Sequence, residues 1–144
     1  MALPDSLKIS ALTSVSTGVS SQTVANGASY ESSTVINNTT NRYSLMAIEA
    51  VWSYSTAPTG NKTVEVYLLK SLDGTNFESL TGGDPVRPIV SFSPPAVTTT
   101  RRLVLIQDLP LVAGKYKLAV KNVDTGQTIT ITLNAYMYDA TVED

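Results

Sequence analysis

Residues 127–139, QTITITLNAYMYD, alternate apolar and polar side chains with almost no interruption. Ile129, Ile131, Leu133, Ala135 and Met137 point one way, while Thr128, Thr130, Thr132, Asn134, Tyr136 and Tyr138 point the other. A period of two over such a length is a half-buried β-strand, because successive side chains of a strand leave opposite faces of its sheet. The same period recurs upstream. In SLMAIEAVWSYS (44–55), Met46, Ile48, Ala50, Trp52 and Tyr54 share a core parity. In KTVEVYLLKS (62–71), Val64, Val66 and Leu68 alternate with Thr63, Glu65 and Tyr67. KYKLAVKN (115–122) places Tyr116, Leu118 and Val120 inward and Lys115, Lys117 and Lys121 outward. RRLVLIQDL (101–109) is apolar on both parities in its middle, which predicts a central strand covered on both sides.

Two weaker strand signals are SYESSTVIN (29–37) and VRPIVSF (86–92), where Pro88 confines the second to a sheet edge or a strand start. Between these runs lie clusters of Gly, Pro, Asp and Asn, and no segment carries a helical period with caps. About seven or eight strands joined by hairpin-length loops predict an all-β fold, an antiparallel β-sandwich of jelly-roll type. Strand order is not contained in the alternation.

Residues 1–27 read differently. They are rich in Ser and Thr, with scattered Leu3, Leu7, Ile9, Leu12, Val15, Val19 and Val24 and no sustained period. This predicts an extended N-terminal arm that orders only against a neighbour, leaving residues 28–144 as the sandwich domain. On that division, a chain without residues 1–27 still folds.

Composition excludes several chemistries. The 144 residues contain no Cys and no His, which removes disulfides, thiolate metal sites and the commonest general base. A net charge of −2 carries no polyelectrolyte signature, so nucleic-acid binding by counterion release is not expected. MALPDSLKIS (1–10) has no basic segment leading into an apolar core, and no apolar run spans a bilayer. The expectation is synthesis in a cytoplasm, no membrane and no cofactor.

Each candidate site has a plainer reading beside it. SLDGTNFESL (71–80) offers Asp73, Asn76 and Glu78, but their spacing is wrong for a calcium loop, and Asp73-Gly74 is a turn signal. Trp52 and Tyr54 sit at core parity. Tyr136 and Tyr138 lie on the polar face of their strand, for contact with another subunit or the arm, with sugar stacking as the second reading. Arg101, Arg102 and the outward lysines form either a solvated guard on a sheet edge or a patch that docks an acidic partner. The acids mark out no pair for glycoside hydrolysis. Asn37, Asn38 and Asn61 head N-glycosylation patterns of the kind that Asn/Thr-rich turns produce by chance.

VEVYLLKSLDGTNFESL (64–80), DPVRPIVSF (84–92), TTRRLVLIQDLPLVAGKYKLAVKN (99–122) and TITLNAYMYD (130–139) together resemble the β-sandwich decoration, or cement, proteins of tailed bacteriophages. The resemblance spans about residues 44–139 and carries no catalytic signature. It implies a non-enzymatic virion protein on the capsid exterior, bound to the major capsid protein as a homotrimer and stabilising the shell against packaged DNA. Partner contacts would then fall on Leu3, Leu7, Ile9 and Leu12 of the arm and on Arg101, Arg102, Tyr136 and Tyr138. A tail, baseplate or fibre component is the alternative, and a carbohydrate-binding module a further one.

Overall fold

A computed structural model describes residues 7–9 and 13–142. Its strands are β1 (Leu7–Ile9), β2 (Thr13–Val24), β3 (Ser29–Glu31), β4 (Ile36–Asn37), β5 (Leu45–Tyr54), β6 (Val64–Ser71), β7 (Val90–Phe92), β8 (Arg101–Pro110), β9 (Lys115–Asn122), β10 (Ile129–Tyr138) and β11 (Ala140–Val142). One sheet has the order β2-β10-β5-β8, and the other β3-β9-β6-β7 with β4 also on β9. All pairs are antiparallel. β3 and β4 lie end to end along β9, so they are one interrupted strand. Counted so, and with the small β1-β11 pair set aside, the sheets order their strands first-eighth-third-sixth and second-seventh-fourth-fifth, which is a jelly roll. The all-β, antiparallel expectation holds.

The alternation of β10 is realised directly: Ile129, Ile131, Leu133, Ala135 and Met137 are all buried between the layers. β10 sits between β2 and β5, and its inward side chains meet Val64, Val66, Leu118 and Val120 within one core. Trp52 and Tyr54 belong to that core. The Trp52 ring lies 4.7 Å from Phe92, tilted by 43°, and ties β5 of one layer to β7 of the other.

Two strands exchange the environments expected of them. β8 is an edge strand and largely exposed, not central. Its apolar run comes from irregular pairing, because Met46, Ile48 and Glu49 of β5 stand opposite Leu109, Ile106 and Val104, giving β8 extra residues that break the period. The strand covered on both faces is β6. Val64, Val66 and Leu68 face the main core, while Tyr67 and Leu69 are buried with Ala119 under Leu80 and Val86 of the long loop before β7.

The boundary expected at residue 27 also moves. β2 pairs with β10 from Thr13 to Val24, and Val19 and Val24 are buried in the core, so this stretch is a strand of the sandwich and not a separate arm. Strand addition orders it within its own chain. Leu7 and Ile9 fall in β1, opposite Val142 and Ala140, whereas Leu3 and Leu12 lie outside the described residues.

Burying Tyr67 has a pH consequence. Burial first, then its hydroxyl's bond to the Glu65 carboxylate, pushes the phenol from 10.0 up to about 12. A folded-state value above the unfolded one favours the protonated fold, so this contribution is complete below pH 10 and disappears as pH rises through about 12. In urea titrations the wild-type midpoint should fall steeply across that window, and Tyr67→Phe should flatten part of the fall. An unchanged slope in the variant would remove Tyr67 as a cause. Tyr54, Tyr116 and Tyr138, each also raised by burial, act in the same direction.

Candidate functional site

The 71–80 stretch is a turn. Asp73 Oδ1 accepts from the backbone amides of Thr75 (2.8 Å) and Asn76 (2.7 Å) and from Ser71 Oγ (3.0 Å), and Asn76 Nδ2 donates to Oδ2 at 2.7 Å. These donors hold its carboxyl well below the usual range, and Gly74 takes the left-handed conformation with φ 77°. The chain returns eight residues later, where Glu78 N donates to Lys70 O and Glu78 Oε2 accepts from Lys70 N. Phe77 does not return to the core as its sequence position suggests. Its ring lies outside, with Lys117 Nζ 4.4 Å from the centroid. Leu72 stands fully exposed at the tip.

The basic residues do not form one patch. Lys115, Lys117 and Lys121 are on β9, a central strand of one sheet, while Arg101 and Arg102 are on the edge of the other. Only the arginines occupy a position where edge protection applies. Arg102 Nε lies 3.8 Å from Glu49 Oε2, and with a side chain 69% exposed this pair adds little stability.

Tyr136 and Tyr138 part company. Tyr138 is 2% exposed, which corrects the expectation of an exposed contact residue. The bulged end of β8 is fastened to it: Asp108 N donates to the Tyr138 hydroxyl at 2.8 Å, and that hydroxyl donates to Asp108 Oδ1 at 2.6 Å. Asp108 itself has φ 53°, a left-handed conformation that these two bonds hold in place. Tyr136 stays half-buried on the outer face. It lines a pocket of about 300 Å³ with Ala47, Ile48, Glu49, Val104 and Gln107, at the place where β5 and β8 lose register. Beside it, Asn134 Nδ2 donates to Glu49 Oε1 at 3.2 Å.

No family model matches this chain. No curated protein matches it either. Among solved structures it is similar to one described as "CBM4 structure and function", with 11% identity, a TM-score of 0.38, and 89% of this chain and 94% of that chain covered. A likeness of that degree assigns no role to any residue.

Several residues that shape the surface and loops carried little signal. Glu49 interrupts an otherwise apolar strand, and Gln107-Asp108 interrupts another; together these polar residues mark the irregular pairing. Asn38, the head of one glycosylation pattern, is fully buried, and its Nδ2 donates to Tyr43 O (2.9 Å) and Val112 O (3.2 Å). That amide is engaged inside the fold and is closed to modification there.

Proposed function

We propose that this chain is a non-enzymatic structural protein of a tailed-phage virion, attached to the capsid exterior as a decoration protein. One observation carries the reading: β8, ten residues long, lies at an open sheet edge with Leu103 and Val104 exposed to 45% and 47%. Soluble proteins ordinarily cover, shorten or charge such an edge, since its free amides and carbonyls recruit another strand. Here charge sits toward the two ends, on Arg101 and Arg102 and on Asp108, and the apolar stretch from Leu103 to Ile106 between them is left for a partner. A strand supplied by the major capsid protein would pair with this edge and bury those side chains. A homotrimer seated across several capsid subunits would multiply a modest contact into near-permanent attachment.

The acids favour a structural role as well. Every carboxylate among the described side chains accepts a hydrogen bond from the chain itself, as with Glu31 and Thr81, Asp84 and Ser79, Asp124 and Thr63, and Asp139 and Ser44. They fasten loops.

The copy number of this chain in purified virions, measured by quantitative mass spectrometry against the major capsid protein, tests the reading. A copy number near that of the capsid subunit is expected. A value tens of times lower moves the protein to the tail, baseplate or a fibre, and absence from virions overturns the proposal. Val104→Lys, which places a charge on the open edge, should release the protein from capsids while leaving the monomer folded.

A further inference from the structure

The outer face of the β2-β10-β5-β8 sheet holds a second surface feature beside the β8 edge, which shares Val104 with it. Opposite the three residues Ala47–Glu49, β8 carries the five residues Val104 to Asp108, so the pairing there is irregular. The resulting pocket, about 300 Å³, is at the lower end of ligand-pocket sizes. It is too small to admit a helix, which is about 10 Å across. The distortion is fixed from beneath, by buried Tyr138 holding the left-handed Asp108. Bulges at a sheet edge re-aim side chains, and this one brings exposed Gln107 beside Tyr136.

The lining sets the chemistry of the occupant. Tyr136 supplies an aromatic ring and a hydroxyl, Ala47 and Val104 supply apolar walls, and Gln107 supplies an amide that donates and accepts. Glu49 supplies carboxylate oxygens, but its charge is shared with Arg102 and one oxygen is already oriented by Asn134. The pocket therefore has an apolar wall, a rim of both donors and acceptors, and one carboxylate, Glu49. An anionic ligand would meet that carboxylate with no lining cation to neutralise it. A ring with one C–H face and equatorial hydroxyls at its edge satisfies every group at once. We propose that this pocket binds a neutral hexopyranose unit of a glycan, with Tyr136 packing against the sugar face and Glu49 and Gln107 bonding its hydroxyls.

Titration of the full-length, ¹⁵N-labelled protein with glucose, galactose, mannose and N-acetylglucosamine, and with their oligosaccharides, tests this directly. At least one sugar should shift the amides of Ala47–Glu49 and Val104–Gln107 with millimolar affinity for the single ring. Tyr136→Ala and the exposed Gln107→Ala should each weaken that binding by about tenfold or more, and Tyr136→Phe should retain most of it. Because Gln107 is exposed, its variant remains a fair test even where Tyr136→Ala loses structure. No shift at these amides with any of the sugars would overturn the proposal, as would shifts that persist undiminished in Gln107→Ala. Neither result touches the virion reading, which copy number decides separately.

Discussion

A chain lacking residues 1–27 will fail to fold, whereas one beginning at Thr13 will keep a cooperative unfolding transition. The shorter deletion leaves the four-stranded sheet complete; the longer one removes β2, the neighbour of β10 along the whole of Ile129–Met137. Val19 and Val24 are 1% and 2% exposed, and burying a valine is worth about 1.5–3 kcal/mol, so these two alone approach the 5–15 kcal/mol by which a typical domain is stable. Loss of β2 also uncovers one side of Ile131 and Leu133 and takes the Val24 carbonyl away from the buried Asn122 amide. The strand is closely fitted as well: a Cβ on Gly18 would stand 2.4 Å from Leu118 Cδ1, a side chain of the opposite sheet. Near-ultraviolet circular dichroism and thermal melts of the two truncations distinguish the cases. A cooperative melt from the chain without residues 1–27 would contradict the placement of β2 and restore the separate arm.

That arm illustrates what the sequence conceals. β2 reads as TSVSTGVSSQTV with no steady period because its pairing with β10 slips at three places and Ser21 adopts φ 43°, its amide held by Thr132 Oγ1 at 3.0 Å. Each slip resets which parity faces the core, so a strand with bulges resembles a linker. β10, with ten consecutive partners on β5, had no such interruption, and its faces were legible throughout. Alternation reports which way a side chain points and says nothing of how many strands lie beyond it. β6 and β8 are both apolar in their middles, but one is covered by a loop of its own chain and the other lies open at an edge. The pocket at Tyr136 was half-legible. The outward tyrosine is visible in the pattern, while Glu49 and Gln107 become its neighbours only through the β5-β8 bulges. Tyr138 shares the parity of Tyr136, yet the bulge that opens a pocket over one folds down over the other.

Asn122→Ala should be the most damaging single polar substitution, costing about 2–4 kcal/mol. Asn122 is fully buried at the end of β9; its Nδ2 donates to Val24 O (3.0 Å) and Gln127 O (2.7 Å), and its Oδ1 accepts from Thr125 Oγ1 (2.6 Å). One side chain thus joins the end of β2, the start of β10 and the turn between β9 and β10. Alanine removes both donors and the acceptor, leaving the Val24 carbonyl without this partner in a site closed to water, where an unmade bond costs about 1–3 kcal/mol. Thr125→Val leaves both Asn122 Nδ2 bonds, to Val24 O and Gln127 O, in place, so it should cost less. The double variant should then fall short of the sum, by a coupling of about 0.5–3 kcal/mol in a cycle measured by urea denaturation. Asn122→Asp separates hydrogen bonding from volume, because it conserves size but faces two carbonyls with a carboxylate. Burial and those carbonyls raise its folded-state pKa, so its deficit should be largest at neutral pH and shrink in acid as the protonated acid regains one donor, relative to wild type at each pH. No deficit for Asp at either pH would mean that Asn122 acts through packing alone.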